Sequence, residues 1–342
     1  MSKSIFPEKP SFAGAIPSLV VFLVLCCSLY SQANEKNTQH IRPAWSPSGK
    51  FFAYLSNEKG SYQLYISEFK TLTSICITDL TSDITQFKWS PKEDQLLFLS
   101  GKGLFTINRD GSNSKLVHAK QDVTPFFFDW KPDGKGISYS CPSPENFVKI
   151  CTKDLSSGNV IQLTTGRYDD RNFHWSTDGR ELAFGSNKNG KFEIYTMDTK
   201  SGETKKHSLL PNNSIDPVFS RDGKLLTFIH DGDGNNTNFD VYLVDKSVGQ
   251  KVICSCKGYN LPLWHPDGKQ LLINSNGNGF WEIYTYKLES SILTKLSDGL
   301  AFSVSPDGLY ILVQSNKDKG SSICLLDFQG NKKSLSELII SN

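Results

Sequence analysis

Six histidines, His40, His118, His174, His207, His230 and His265, are the side chains best suited to move a proton or ligate a metal near neutral pH. They are dispersed along the chain. No His-x-His pair, His-Glu-x-x-His helix motif or Gly-x-Ser-x-Gly nucleophile elbow is present. His174 and His265 stand next to Trp175 and Trp264, where a histidine filling a recurring position is the plainer reading. Asp231-Gly-Asp233-Gly-Asn235 alternates oxygen-bearing side chains as a calcium loop does, but lacks that loop's central glycine and distant glutamate. It reads as a solvated hairpin loop. Asp169-Asp170, before Arg171, offers two carboxylates, and surface polarity is expected there rather than acid–base work. No catalytic, cofactor-binding or metal-binding residue is therefore expected, and no cofactor.

Eight cysteines occur. Cys26 and Cys27 lie in an amino-terminal stretch with the grammar of an export signal. Lys3 and Lys9 precede an apolar run from Ala13 to Leu29, and Ser31-Gln32-Ala33 follows with small residues where a signal peptidase cuts. Residues 1–33 are expected to be removed, leaving a short segment, 34–40. The run is short for a full span and contains Pro17, so no membrane span is expected after cleavage. Lipidation at Cys26 or Cys27 is the rival reading, although Leu25 is a poor residue before a lipidated cysteine. Of the six remaining cysteines, Cys141 and Cys151 flank one hairpin loop and are the best candidates for a disulfide. The favoured reading is that Cys76, Cys141, Cys151, Cys254, Cys256 and Cys324 are small apolar strand residues.

Lysine plus arginine number 37 and aspartate plus glutamate 35, scattered among turns. There is no basic stripe to follow a phosphate backbone, so nucleic acid is not an expected partner.

What must position any site is a repeat. Trp264-His-Pro-Asp-Gly268 places a tight turn between two apolar runs, as in an antiparallel hairpin. The unit recurs at Trp45, Trp89, Trp130, Trp175, Phe219 and Val304, with spacings of 44, 41, 45, 44, 45 and 40 residues once Trp264 is included. Five of the six tryptophans occupy this anchor position. After each anchor come an apolar strand, a polar Gly- or Asn-rich loop, a third strand such as Ile194-Tyr-Thr-Met197, and a weaker fourth such as Val160-Ile-Gln-Leu163. A four-strand unit about every 40–45 residues is a propeller blade. The fold expected is all-β, a β-propeller over 41–342, with seven blades and six as the alternative. The last fourth strand is expected within residues 332–340, so no strand need be borrowed from the amino terminus. Alternation back from each anchor places Arg42, Gln86, Phe127, Asn172, Asp216, Leu261 and Ala301 on the channel wall.

The pattern Trp175-Ser-Thr-Asp-Gly179, then Leu182-Ala-Phe184, then Ile194-Tyr-Thr-Met-Asp198 resembles the repeats of the TolB propeller family. Those repeats also occur in propellers of prolyl-oligopeptidase type and in pectate-fragment lyases. TolB proper carries an α/β domain before six blades; here seven copies begin at Ile41, and that domain is not expected. The peptidases need an added hydrolase domain, for which no room is expected. The resemblance implies an exported, monomeric, non-enzymatic binding module of the bacterial periplasm, or a secreted one. It would dock an envelope protein such as a peptidoglycan-associated lipoprotein on one propeller face. The alternative is a carbohydrate-active enzyme, lyase-like, with a channel-centred site. Of the two faces, the one opposite the anchor turns has the more varied loops. There Tyr168, Arg171 and Tyr259 are the expected binding residues.

Overall fold

The computed structural model describes residues 38–92, 95–101, 103–119, 127–235, 238–254, 262–317 and 320–334. Seven four-stranded antiparallel sheets follow one another along the chain, each pairing its strands in sequence order. They comprise residues 40–76, 84–119, 128–162, 170–206, 214–254, 263–298 and 300–334, and are numbered here as blades 1 to 7. The described residues contain no helix. The last strand, Lys332–Ser334, pairs with its own blade, so the seventh sheet is complete without the amino terminus. Six blades are excluded.

Burial explains the sequence pattern of each strand. The second strand, Glu181–Ser186 for example, is buried almost throughout because a neighbouring blade covers each of its faces. The fourth strand lies at the rim, and Val160–Gln162 is exposed along its length.

The anchor turn is fixed by its own side chains. In blade 4 the Asp178 carboxylate accepts the Ser176 hydroxyl at 2.8 Å and the Arg180 amide at 3.1 Å, while Ser176 Oγ accepts the Glu181 amide at 2.9 Å. Gly179 completes the turn at φ 72°, where a Cβ would be strained. Blade 5 repeats the arrangement with Ser220, Asp222 and Lys224, and blade 7 with Ser305, Asp307 and Leu309.

Seven apolar clusters lie at the seven junctions between blades, and every anchor belongs to one. Trp45 packs with Leu312 and Leu325 of blade 7, Trp130 with Leu97 and Leu104 of blade 2, Trp175 with Ile150 of blade 3, and Phe219 with Ala183 and Ile194 of blade 4. Each anchor also faces a fully buried partner across its own hairpin, as Trp130 faces Ile137 and Trp175 faces Leu182. The anchors are not uniformly buried: Val304 is half-buried at the junction of blades 6 and 7, and Trp89 and Trp264 are further exceptions. Both are half-buried, though still within the junctions to blades 1 and 5.

The cysteine reading is corrected. Cys141 and Cys151 are joined in a disulfide across the second and third strands of blade 3, with Cα atoms 5.9 Å apart. The strand register makes the bond feasible: Cys141 faces Lys149, two residues from Cys151, on the same side of the sheet. Cys254 is disulfide-bonded as well. Cys76 and Cys324 are thiols, and Cys256 lies outside the described residues.

Candidate functional site

The inner strands surround a cavity of about 410 Å³. Arg42, Gln86, Phe127, Asn172 and Asp216 line it, as their spacing from the anchors required. Leu261 lies outside the described residues. Ala301 touches the cavity but is packed into the junction of blades 6 and 7; its neighbour Phe302 is the unpaired bulge residue and is half-buried. The inner strands of blades 1, 4 and 5 carry bulges that set Arg42, Asn172 and Asp216 at φ 54°, 53° and 54°. A bulge turns a side chain that would otherwise lie along the sheet toward the axis.

Most polar groups of the channel are engaged within the fold. The Asn172 amide donates to the Asp216 carboxylate of the next blade. Lys88 and Asp129 form an ion pair at 3.6 Å nearer the anchor-turn end. His174 Nδ1 accepts the backbone N–H of Phe219 at 3.4 Å, joining blades 4 and 5. Burial pushes His174 down to about 4, against the opposing pull of Asp129, so the ring is neutral near pH 7.

On the face opposite the anchor turns, Tyr168 and Arg171 are both half-buried. The Arg171 guanidinium stacks on Phe192 at 3.8 Å, and the Tyr168 ring lies 4.0 Å from the Lys149 ammonium. Gly166 makes room for this, since a Cβ there would fall 2.4 Å from the Tyr168 ring. Tyr259 lies outside the described residues. Tyr168 and Arg171 each rest on an intramolecular cation–π contact, with different partners.

Beneath them lies what the sequence reading missed. Lys149 is fully buried, and its ammonium donates to Asp170 at 2.7 Å and to the Thr165 carbonyl at 3.3 Å. Asp170 is 1% exposed, so the Asp169-Asp170 pair is not surface polarity. Asp169 caps the Val148 amide at 3.0 Å. The repeat held the signal. Where blades 4 and 6 read Glu193-Ile-Tyr195 and Glu282-Ile-Tyr284, blade 3 reads Lys149-Ile-Cys151. In blades 4 and 6 the glutamate is bonded by a lysine of its own fourth strand, Lys206 or Lys295, and by the tyrosine hydroxyl. Blade 3 reverses the sign and takes its counter-charge from blade 4.

The other histidines serve packing and turns. His207 lies 2.9 Å from Thr196 Oγ1, and His265 bridges Asp267 and the Gly308 carbonyl of the next anchor turn. In the calcium-like loop Asp231 is buried and receives the Gly234 amide, while Asp233 receives the Asn235 amide. Among the described residues no three His, Cys, Asp or Glu side chains converge as a metal site.

The family model of the TolB beta propeller domain matches residues 102–338. Dipeptidyl-peptidase 5 of Porphyromonas gingivalis is 25% identical over 280 residues, 74% of this chain and 40% of that protein. The Tol-Pal system protein TolB of Francisella tularensis subsp. mediasiatica is 25% identical over 238 residues, 67% of this chain and 54% of that protein. The chain thus spans less than two thirds of either relative. Among solved structures, oligogalacturonate lyase from Vibrio parahaemolyticus superposes with a TM-score of 0.66 at 10% identity, covering 84% of this chain and 89% of that one, a likeness of fold alone. By the family match, and by seven blades carrying its repeat, the chain belongs to the TolB beta-propeller family.

Proposed function

We propose that this chain is an exported, non-enzymatic binding propeller of the bacterial envelope that docks a protein partner on the face opposite its anchor turns, around the channel mouth. The observation that carries this reading is a pair of cation–π contacts on that face. Tyr168 and Arg171 are residue types that anchor interfaces, and here each is held by a cation–π contact on a rigid scaffold. Export in this reading follows from the signal-like residues 1–33, and an envelope partner from the TolB likeness. The candidate acid–base groups of the channel, His174, Asp129 and Asp216, are occupied by bonds that serve the fold.

The test begins with capture of a partner from envelope extract by the chain starting at residue 34. Tyr168→Ala with Arg171→Ala is expected to weaken binding at least tenfold while the melting temperature stays within a few degrees. Asp178 caps its own turn, so the control on the other face is Arg180→Glu with Lys224→Glu, which should leave binding unchanged. The converse pattern would reject the assigned face. Turnover of a polysaccharide by the purified chain would favour the lyase-like alternative.

A further inference from the structure

The channel wall is divided chemically. On one arc, contributed by blades 7, 1, 2 and 3, stand Phe302, Arg42, Gln86 and Phe127. On the opposite arc Asn172 and Asp216 satisfy each other. Arg42 stands apart from both. Its side chain is exposed to the cavity, and no carboxylate among the described residues pairs with its guanidinium.

Its backbone sharpens the point. Arg42, Asn172 and Asp216 occupy equivalent bulges in the left-handed region. Asparagine and aspartate tolerate that region because their short polar side chains bond locally; arginine gains nothing from it. Arg42 therefore occupies a place where asparagine would suit the fold better, and its use lies in what the guanidinium meets. An outlier of this kind at a cavity wall points to function.

We propose that the channel binds a small carboxylate with an apolar body, held by Arg42. The guanidinium offers two parallel N–H donors to the two carboxylate oxygens, and the Gln86 amide supplies a further donor on the neighbouring blade. Phe302 and Phe127, half-buried on either flank, provide apolar surface for the rest of the molecule. The cavity, about 410 Å³, is within the range of small-molecule sites. Lys88 does not compete for the carboxylate, since Asp129 already neutralises it. This site goes beyond the docking face and requires no protein partner.

The probes are phenylacetate and hexanoate, each paired with its neutral amide, titrated into the chain starting at residue 34 at 150 mM salt by calorimetry and ligand-observed NMR. Saturable binding of a carboxylate, with its amide at least tenfold weaker, is expected. Arg42→Asn should abolish the difference and leave the melting temperature unchanged or higher, because asparagine suits the left-handed bulge. Arg42→Gln removes the charge with a longer side chain and should lose binding equally, whatever Arg42→Asn does to the fold. Arg180→Gln, at the anchor turn of blade 4 and not among the residues lining the channel, should bind like the parent. Equal affinity for carboxylate and amide, no saturable binding of either carboxylate, or carboxylate binding that persists in both Arg42 variants would each overturn the proposal.

Discussion

The indole N–H of Trp130 donates to the backbone carbonyl of Lys88, 3.2 Å away on the inner strand of the preceding blade. Trp89 makes the same step to Ala44 at 3.1 Å, and Trp264 to Val218 at 3.3 Å. The anchor thus does two jobs at each of these junctions. Its rings fill the apolar seam, and its N–H donates to a carbonyl on the innermost strand of the preceding blade.

Separating those jobs gives the first expectation. Trp130→Ala should destabilise the propeller by roughly 3–5 kcal/mol, the range for a buried large aromatic. Trp130→Phe keeps most of the packing and loses the hydrogen bond, at about 1–3 kcal/mol. Trp281 is half-buried and outside the anchor register, so Trp281→Ala should cost less than about 2 kcal/mol. Urea titrations of the three variants measure this directly. Equal losses at 130 and 281 would contradict the role given to the anchor.

His174 links the fold to pH. Its folded value lies near 4, below that of an exposed histidine near 6.5, because burial disfavours the imidazolium. Between these values the unfolded chain binds more protons than the folded one. The histidine's contribution is therefore fully present above about pH 6.5 and is lost as pH falls through the window toward 4. His174→Asn keeps an acceptor where Nδ1 meets the Phe219 amide and removes the titration. The variant should lose on the order of 2 kcal/mol less stability than the parent between pH 7 and pH 4. Identical slopes in chemical denaturation across that range would show that the imidazole is solvated.

The Lys149–Asp170 pair makes a third case. Both groups are buried, so Asp170→Asn strands an ammonium without its counter-charge and should cost about 3–5 kcal/mol. Lys149→Met combined with Asp170→Leu removes both charges and should recover most of that loss. Additive losses in this double-mutant cycle would mean the two side chains do not interact.

Much of this architecture was legible from spacing alone. The anchors Trp45 to Val304 gave seven blades and the residues on the channel wall, because turn chemistry and strand alternation are local and repeat faithfully. Ala301 touches the cavity as its spacing required, but the larger neighbour Phe302, unpaired at a bulge, also lines it, and spacing alone does not show that residue. Asp170 was misjudged. Its burial depends on Lys149, 21 residues earlier in a neighbouring blade, and a carboxylate beside a second carboxylate looks like surface until its partner is known. The Cys141–Cys151 bond was visible as a candidate, but register decides it, and register is a tertiary property.

The docking face is the central claim, and site-specific photo-crosslinking tests it most directly. A photoreactive residue replaces Tyr168 in one chain and Arg180, on the anchor-turn face, in another, and each is irradiated with envelope extract. A discrete protein adduct from position 168, absent from position 180 and lost when Arg171 is also changed to Ala, is the predicted result. An adduct from position 180 with none from position 168 would contradict the account.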